Sequence, residues 1–236
     1  LPPTWADDST HLCEVNAPIG GSAATLVEFD QTGNARVVAT VGSTATVTGS
    51  WQVLACSPSA DRAVVMSANS QSATVIVLRL STGRVIARHS FGDAAWGIPI
   101  ASHDGSVVAL NEPSGVTIRN SITWAVLGHV VRWGSQEGYP LIGAAVDISW
   151  DGSRIVVDGG GAGGGFHPEW MVDWANDRTL LTNTGTDRQA IGVPGFDDAI
   201  PLTSGTGFFL PPGDVAADQS AAYLLEANGG LKKLPG

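Results

Sequence analysis

The stretch Ser149-Trp150-Asp151-Gly152-Ser153-Arg154-Ile155-Val156-Val157 runs from a tight polar turn straight into a β-branched segment, the composition of a hairpin between two strands. The same pattern returns as Ala101-Ser102-His103-Asp104-Gly105-Ser106-Val107-Val108-Ala109 and as Cys56-Ser57-Pro58-Ser59-Ala60-Asp61-Arg62-Ala63-Val64-Val65. Near the start it reads Trp5-Ala6-Asp7-Asp8-Ser9-Thr10-His11-Leu12-Cys13, and a degenerate copy reads Leu202-Thr203-Ser204-Gly205-Thr206-Gly207-Phe208-Phe209-Leu210. Anchored on Asp7, Ser59, Asp104, Asp151 and Ser204, the copies are spaced by 52, 45, 47 and 53 residues.

A second signal follows each anchor: an apolar strand, a polar turn and another apolar strand. Those turns centre on Gly33, Gly83, Thr123, Asp177 and Gly229, at offsets of 26, 24, 19, 26 and 25 residues from the anchors. Two linked periodicities with matching offsets define a repeat. Each unit is four short strands, A to D, with an A–B and a C–D hairpin. One such sheet is too small to bury both faces, and stacking the units radially solves that problem. The expected fold is therefore all-β: one β-propeller domain over 1–236 with about five four-stranded blades, at 1–48, 49–95, 96–140, 141–195 and 196–236. The ring either closes with five blades or forms part of a larger propeller.

In the turns Ser149-Trp150-Asp151-Gly152-Ser153 and Cys56-Ser57-Pro58 the chain resembles the WD40-like repeats of TolB-type β-propellers. The A–B turn of that family reads approximately Trp-Ser-Pro-Asp-Gly-Ser before an apolar strand. The resemblance implies protein or small-ligand binding at one face of the propeller or in its central channel.

Composition narrows the function. There are 22 acidic against 12 basic residues, a formal charge of −10, and the only lysines are the adjacent Lys232 and Lys233. A phosphate-backbone partner needs clustered Lys and Arg, so no nucleic acid is expected. No segment reaches the about 18 uncharged apolar residues of a membrane helix, so no membrane insertion is expected of this chain. The start at Leu1, without an initiator Met, reads as a processed or trimmed end, compatible with removal of a leader or an anchor. Cys13 and Cys56 are the only cysteines; they form either a disulfide between the first two units or two isolated thiols. Low lysine, the cysteine pair and the trimmed start point to an extracytoplasmic location, secreted or at the cell surface.

The recurring Asp7, Asp104 and Asp151 read as turn residues that accept backbone N–H groups. The run Asp158-Gly159-Gly160-Gly161-Ala162-Gly163-Gly164-Gly165-Phe166-His167-Pro168-Glu169 replaces the ordinary B–C connection of the fourth unit. It is a surface loop in which His167 and Glu169 are the candidate ligand contacts; two such side chains make neither a metal site nor, without Gly-Lys-Ser/Thr, a phosphate loop. Asp197-Asp198 reads as an interblade turn. The five histidines share no spacing and no Gly-x-Ser-x-Gly elbow is present, so no catalytic residue, metal or cofactor is assigned. Most tryptophans read as core. Trp133, in the loop Val131-Arg132-Trp133-Gly134-Ser135-Gln136-Glu137-Gly138-Tyr139, is the best candidate for an exposed ligand-stacking aromatic. The favoured function is a non-enzymatic module that binds a protein, small-ligand or glycan partner through a propeller face. The alternatives are a carbohydrate-active enzyme with paired carboxylates and a structural component of a surface layer or filament.

Overall fold

The computed structural model describes residues 4–8, 10–17, 23–42, 50–68, 72–92, 99–136, 139–159, 169–183, 200–201, 208–210, 222–226 and 230–234. Among them are five four-stranded sheets, one two-stranded sheet and a single 3₁₀ turn, with no α-helix. The first sheet holds β1 (Thr4–Trp5), β2 (His11–Asn16), β3 (Ala24–Asp30) and β4 (Ala35–Gly42). The second holds β5 (Ser50–Ser57), β6 (Arg62–Ala68), β7 (Ser72–Leu78) and β8 (Val85–Gly92). The third holds β9 (Ile100–Ala101), β10 (Val107–Glu112), β11 (Gly115–Asn120) and β12 (Val126–Val130). After the hairpin of β13 (Trp133–Gln136) and β14 (Tyr139–Ile142) comes the fourth sheet: β15 (Ala144–Ile148), β16 (Arg154–Asp158), β17 (Glu169–Asp173), the 3₁₀ turn Trp174–Asn176 and β18 (Arg178–Asn183). The fifth holds β19 (Ile200–Pro201), β20 (Phe208–Leu210), β21 (Tyr223–Leu225) and β22 (Leu231–Lys233).

In all five sheets the strand order follows the chain, so each is an A-to-D meander. Its two inner strands are apolar on both faces: Ala63, Val64 and Val65 of β6 and Val75, Ile76, Val77 and Leu78 of β7 are all 0% exposed. Burial on both sides explains why these segments read as continuous β-branched runs rather than as alternating patterns. The last strand of each meander is more open, as at Val37 in β4 and Val126 and Leu127 in β12.

The chain forms two compact units, 1–108 with 119–125 and 109–118 with 126–236. The core of the first gathers Leu26, Val41, Trp51, Val53, Val65, Ile76 and Leu78 around Cys13 and Cys56. These two cysteines form a disulfide, S–S 2.02 Å, between β2 and β5. Cys13 is the third residue of β2 and Cys56 the last but one of β5. Ala145, Ile148, Ile155, Val156, Val157, Met171 and Val172 are the buried apolar residues described in the fourth sheet, in the second unit. No helix among the described residues is long and apolar enough to cross a membrane.

The repeat is physical as well as textual. Gly105 N–H donates to Ser102 O and Ser102 N–H to Val107 O; Gly152 N–H donates to Ser149 O and Ser149 N–H to Arg154 O. In both turns glycine takes the left-handed backbone, φ +67° at Gly105 and +73° at Gly152. The same bond from Ala6 N–H to His11 O sets the register of the first turn and shifts its anchor by one residue. Asp8, not Asp7, is the counterpart of Asp104 and Asp151.

The C–D turns of the second, third and fourth sheets obey a second rule: each lies back on the last strand of the preceding sheet. Gly83, φ +65°, sits so close to β4 that a Cβ would stand 2.1 Å from Val38 O. In the third sheet Trp124, not Thr123, occupies this place: its N–H donates to Asn120 O as Gly83 N–H does to Arg79 O, and its φ is +61°. Its ring stacks on His89 of β8 at 4.5 Å between centroids and 10° between planes, with Phe91 at 6.0 Å. In the fourth sheet the Trp174 ring covers Gly128 of β12, where a Cβ would meet it at 2.7 Å.

Candidate functional site

The described chemistry-bearing side chains fall into three places. The first is the set of A–B turns. Asp104 Oδ1 accepts hydrogen bonds from Ser102 Oγ (2.6 Å), Ser106 N (2.9 Å) and Ser106 Oγ (2.8 Å). Asp151 Oδ1 does the same with Ser149 Oγ (2.8 Å), Ser153 N (3.0 Å) and Ser153 Oγ (2.8 Å). Asp8 accepts from Thr10 N and His11 N. These carboxylates hold their own turns, as expected of Asp104 and Asp151. Asp7, released from that duty by the one-residue shift, reaches the second sheet: its carboxylate accepts from Ser57 Oγ at 2.5 Å and from Ser59 Oγ, and its N–H donates to Cys56 O. His103 lies beside it. Burial holds the His103 imidazole below the ordinary histidine range, against the opposing pull of Asp7 and Asp104. Because Asp7 takes both serine hydroxyls directly, no imidazole stands between carboxylate and serine as nucleophile activation requires.

The second place is the two-stranded sheet. The segment around Trp133 is not the loop expected from sequence: Trp133 heads β13 and pairs with Ile142, and Gln136 pairs with Tyr139. Backbone pairing of Trp133–Gln136 with Tyr139–Ile142 accounts for the difference. At its base Gly143 N–H donates to Arg132 O at 2.8 Å. Arg132 then fixes the hairpin to the C–D turn of the fourth sheet: Nη1 donates to Asp177 Oδ1 (3.0 Å) and Nε to Thr179 Oγ1 (3.2 Å). Among the described residues this hairpin is the element that the four-stranded repeat does not account for.

The third place is β15, which continues from the hairpin through Gly143. A β-bulge between Ala145 and Asp147 leaves Val146 without a partner. Asp147 Oδ1 accepts the N–H of Ile148 at 2.7 Å. Burial pushes its carboxyl up to about 7, with the Ile148 bond opposing, and no charged group enters. The second sheet has the same bulge, between Val53 and Ala55, and there buried Ala55 stands where the fourth sheet has Asp147. Sequence reading missed Asp147. Its available signal was a lone carboxylate inside the apolar run Ala144-Ala145-Val146-Asp147-Ile148.

Of the other expected contacts, Glu169 begins β17, paired in register with Asp158 and Asn183. His167, most of the glycine-rich run, Asp197-Asp198 and the Ser204 turn lie outside the described residues. No group of three or more His, Cys, Asp or Glu among the described residues is arranged to hold a metal ion.

No protein-family model matches the chain, and no curated protein is similar to it in sequence. Solved structures are. The chain is similar to an oligogalacturonate lyase in complex with manganese, with TM-score 0.56, 16% identity, and 97% of this chain and 62% of that one covered. It is also similar to a hydrazine synthase of Kuenenia stuttgartiensis (TM-score 0.52, 17% identity, 99% and 65% covered). A third is the β-propeller domain of the Trilobed protease from Pyrococcus furiosus (TM-score 0.51, 13% identity, 100% and 68% covered). The chain thus spans less than two thirds of the length of the lyase. At such identities the likeness concerns the fold alone, and together with the five antiparallel meanders it makes this chain a β-propeller.

Proposed function

We propose that the chain is a non-enzymatic, extracytoplasmic recognition module that binds a hydroxylated ligand, a glycan, through the β13–β14 hairpin. One observation carries the reading: the hairpin interrupts an otherwise regular repeat and is pinned at its base by Arg132 to Asp177 and Thr179. Insertions into repeat arrays concentrate on the binding face, and rigidly anchored loops carry recognition. Trp133 and Tyr139 are aromatic residues of the hairpin, the residue type on which sugar rings stack. The TolB-type likeness of the turns is consistent with such a module, and the disulfide agrees with an oxidising compartment. The fold itself names no activity, because a lyase, a hydrazine synthase and a protease domain share it.

A glycan array probed with the wild-type chain and with Trp133→Ala tests this. The reading expects a defined set of retained glycans and their loss in the variant. Binding of no glycan contradicts it, and release of shortened products from a retained glycan makes the chain a carbohydrate-active enzyme instead.

A further inference from the structure

We propose that Asp147 is a ligand-contacting acid, donating the proton on Oδ2 to an oxygen of a neutral oligosaccharide held by the same strand that leads out of the hairpin. The inference rests on the glycan reading above and adds a second contact to it.

Four features point this way. Asp147 uses one oxygen, Oδ1, on the N–H of Ile148, and among the described residues no partner is recorded for the other. Ile148 is registered opposite Ile155 while Ser149 N–H donates to Arg154 O, so alternation sends the Ile148 N–H to the open edge of β15, and Asp147 follows it there. Nearer the start of the strand Ala145 is matched by a side chain: its N–H donates to Asn111 Oδ1 at 2.7 Å, and Asn111 Nδ2 donates to Ala145 O at 3.1 Å. Finally, the second sheet builds the same bulge with alanine, so the bulge does not require a carboxyl group. A bulge aims a side chain, and here the one it aims is the carboxyl with an unused oxygen.

Burial raises the group to about 7, so it passes from protonated to ionised across the neutral range. The titratable groups on neighbouring elements do not set that value. On β16 these are Arg154, held by Ser153 O and Asp173, and Asp158; on β10 it is Glu112, bonded to Thr117; β19 contributes only Ile200 and Pro201. Asp147 is five residues beyond Ile142, the last residue of the hairpin, a path of at most about 17 Å for an extended strand. One oligosaccharide can span that distance.

The test uses isothermal titration of the full chain with neutral tetrasaccharides (cellotetraose, maltotetraose and chitotetraose) between pH 5.5 and 8.5, for wild type, Asp147→Asn and Asp147→Ala. The expected result is wild-type binding that weakens about tenfold as pH rises through 7, the loss of one hydrogen-bond donor. Asp147→Asn keeps an oxygen for Ile148 and a permanent N–H donor, so it binds at all pH values like wild type at pH 6. Asp147→Ala binds about tenfold more weakly throughout. A residue that only stabilised the strand would alter melting in both variants without removing the pH dependence of binding. If wild type binds and both variants share its affinity and pH profile, this inference fails and the glycan reading stands. If wild type binds none of the sugars of this panel or of the array, both fall.

Discussion

At the scale of single residues, the A–B turn is a small hydrogen-bond machine that the sequence repeats. A serine carbonyl accepts from glycine, the serine hydroxyl donates to the aspartate, and the aspartate gathers the N–H and hydroxyl of the following serine. Replacing Asp104 by Ala strands these donors at a half-buried turn and should cost about 1–3 kcal/mol, read as a lower urea midpoint with an unchanged slope. Asp147 gives a pH signature. Its carboxyl is raised in the folded chain from an ordinary 3.8 to about 7, so the native state binds the proton more tightly than the unfolded chain. Its contribution is therefore fully present below pH 3.8 and is lost as pH rises from 3.8 to 7, a difference on the order of 4 kcal/mol. Wild type minus Asp147→Asn, by urea denaturation at steps between pH 4 and 8, should show that slope; a flat difference would contradict it. Residue pattern made the turns legible but not their phase. Asp7 and Asp8 are adjacent and chemically identical, and it is the bond from Ala6 to His11, with the partners of the two carboxylates, that shows which one caps the turn. Asp147 was hidden for a different reason: a bulge has no sequence signature of its own, and without it the alternation of faces at that residue cannot be read.

At the scale of elements, the turns between strands C and D decide how closely consecutive sheets approach. Gly83 admits the backbone of β4 to its Cα, and its left-handed φ adds to the demand for glycine. Gly83→Ala should destabilise the chain by about 2–4 kcal/mol, combining a backbone clash with left-handed strain, measured by thermal melting. Trp124 holds the equivalent backbone conformation without being glycine. Its stack on His89 and Phe91 compensates the strain, so the third turn is spaced from β8 by a ring where the second touches β4 directly. This exchange explains why Thr123 looked like the turn centre: a tryptophan in left-handed conformation is not something composition suggests. The β13–β14 hairpin escaped as a strand pair because two four-residue strands joined through Glu137-Gly138 read as polar loop. A two-stranded sheet alone is marginal in water, which gives its anchor weight. Arg132→Ala should leave overall melting within about 1 kcal/mol of wild type, since the Asp177 partner is largely exposed, yet weaken glycan binding as the hairpin loses its fixed base.

At the scale of the whole molecule, five meanders were legible because periodicity survives even where individual positions drift. The disulfide then closes the first two sheets together. Cys13 and Cys56 are 43 residues apart in sequence and at most 1% exposed. Loop-closure entropy for that separation is worth about 4 kcal/mol, so the double variant Cys13→Ala/Cys56→Ala should lose stability of that order in guanidinium titration. The native disulfide should also resist dithiothreitol until the first unit opens. Function was less legible, because the proposed recognition element departs from the repeat, and departures leave no periodic trace. Glycan-array binding of wild type against Trp133→Ala bears most directly on the recognition reading. The account predicts a defined set of bound glycans for wild type, unchanged in chain length after incubation, and their loss in the variant. An array without wild-type binding, or binding that survives removal of Trp133, would contradict it.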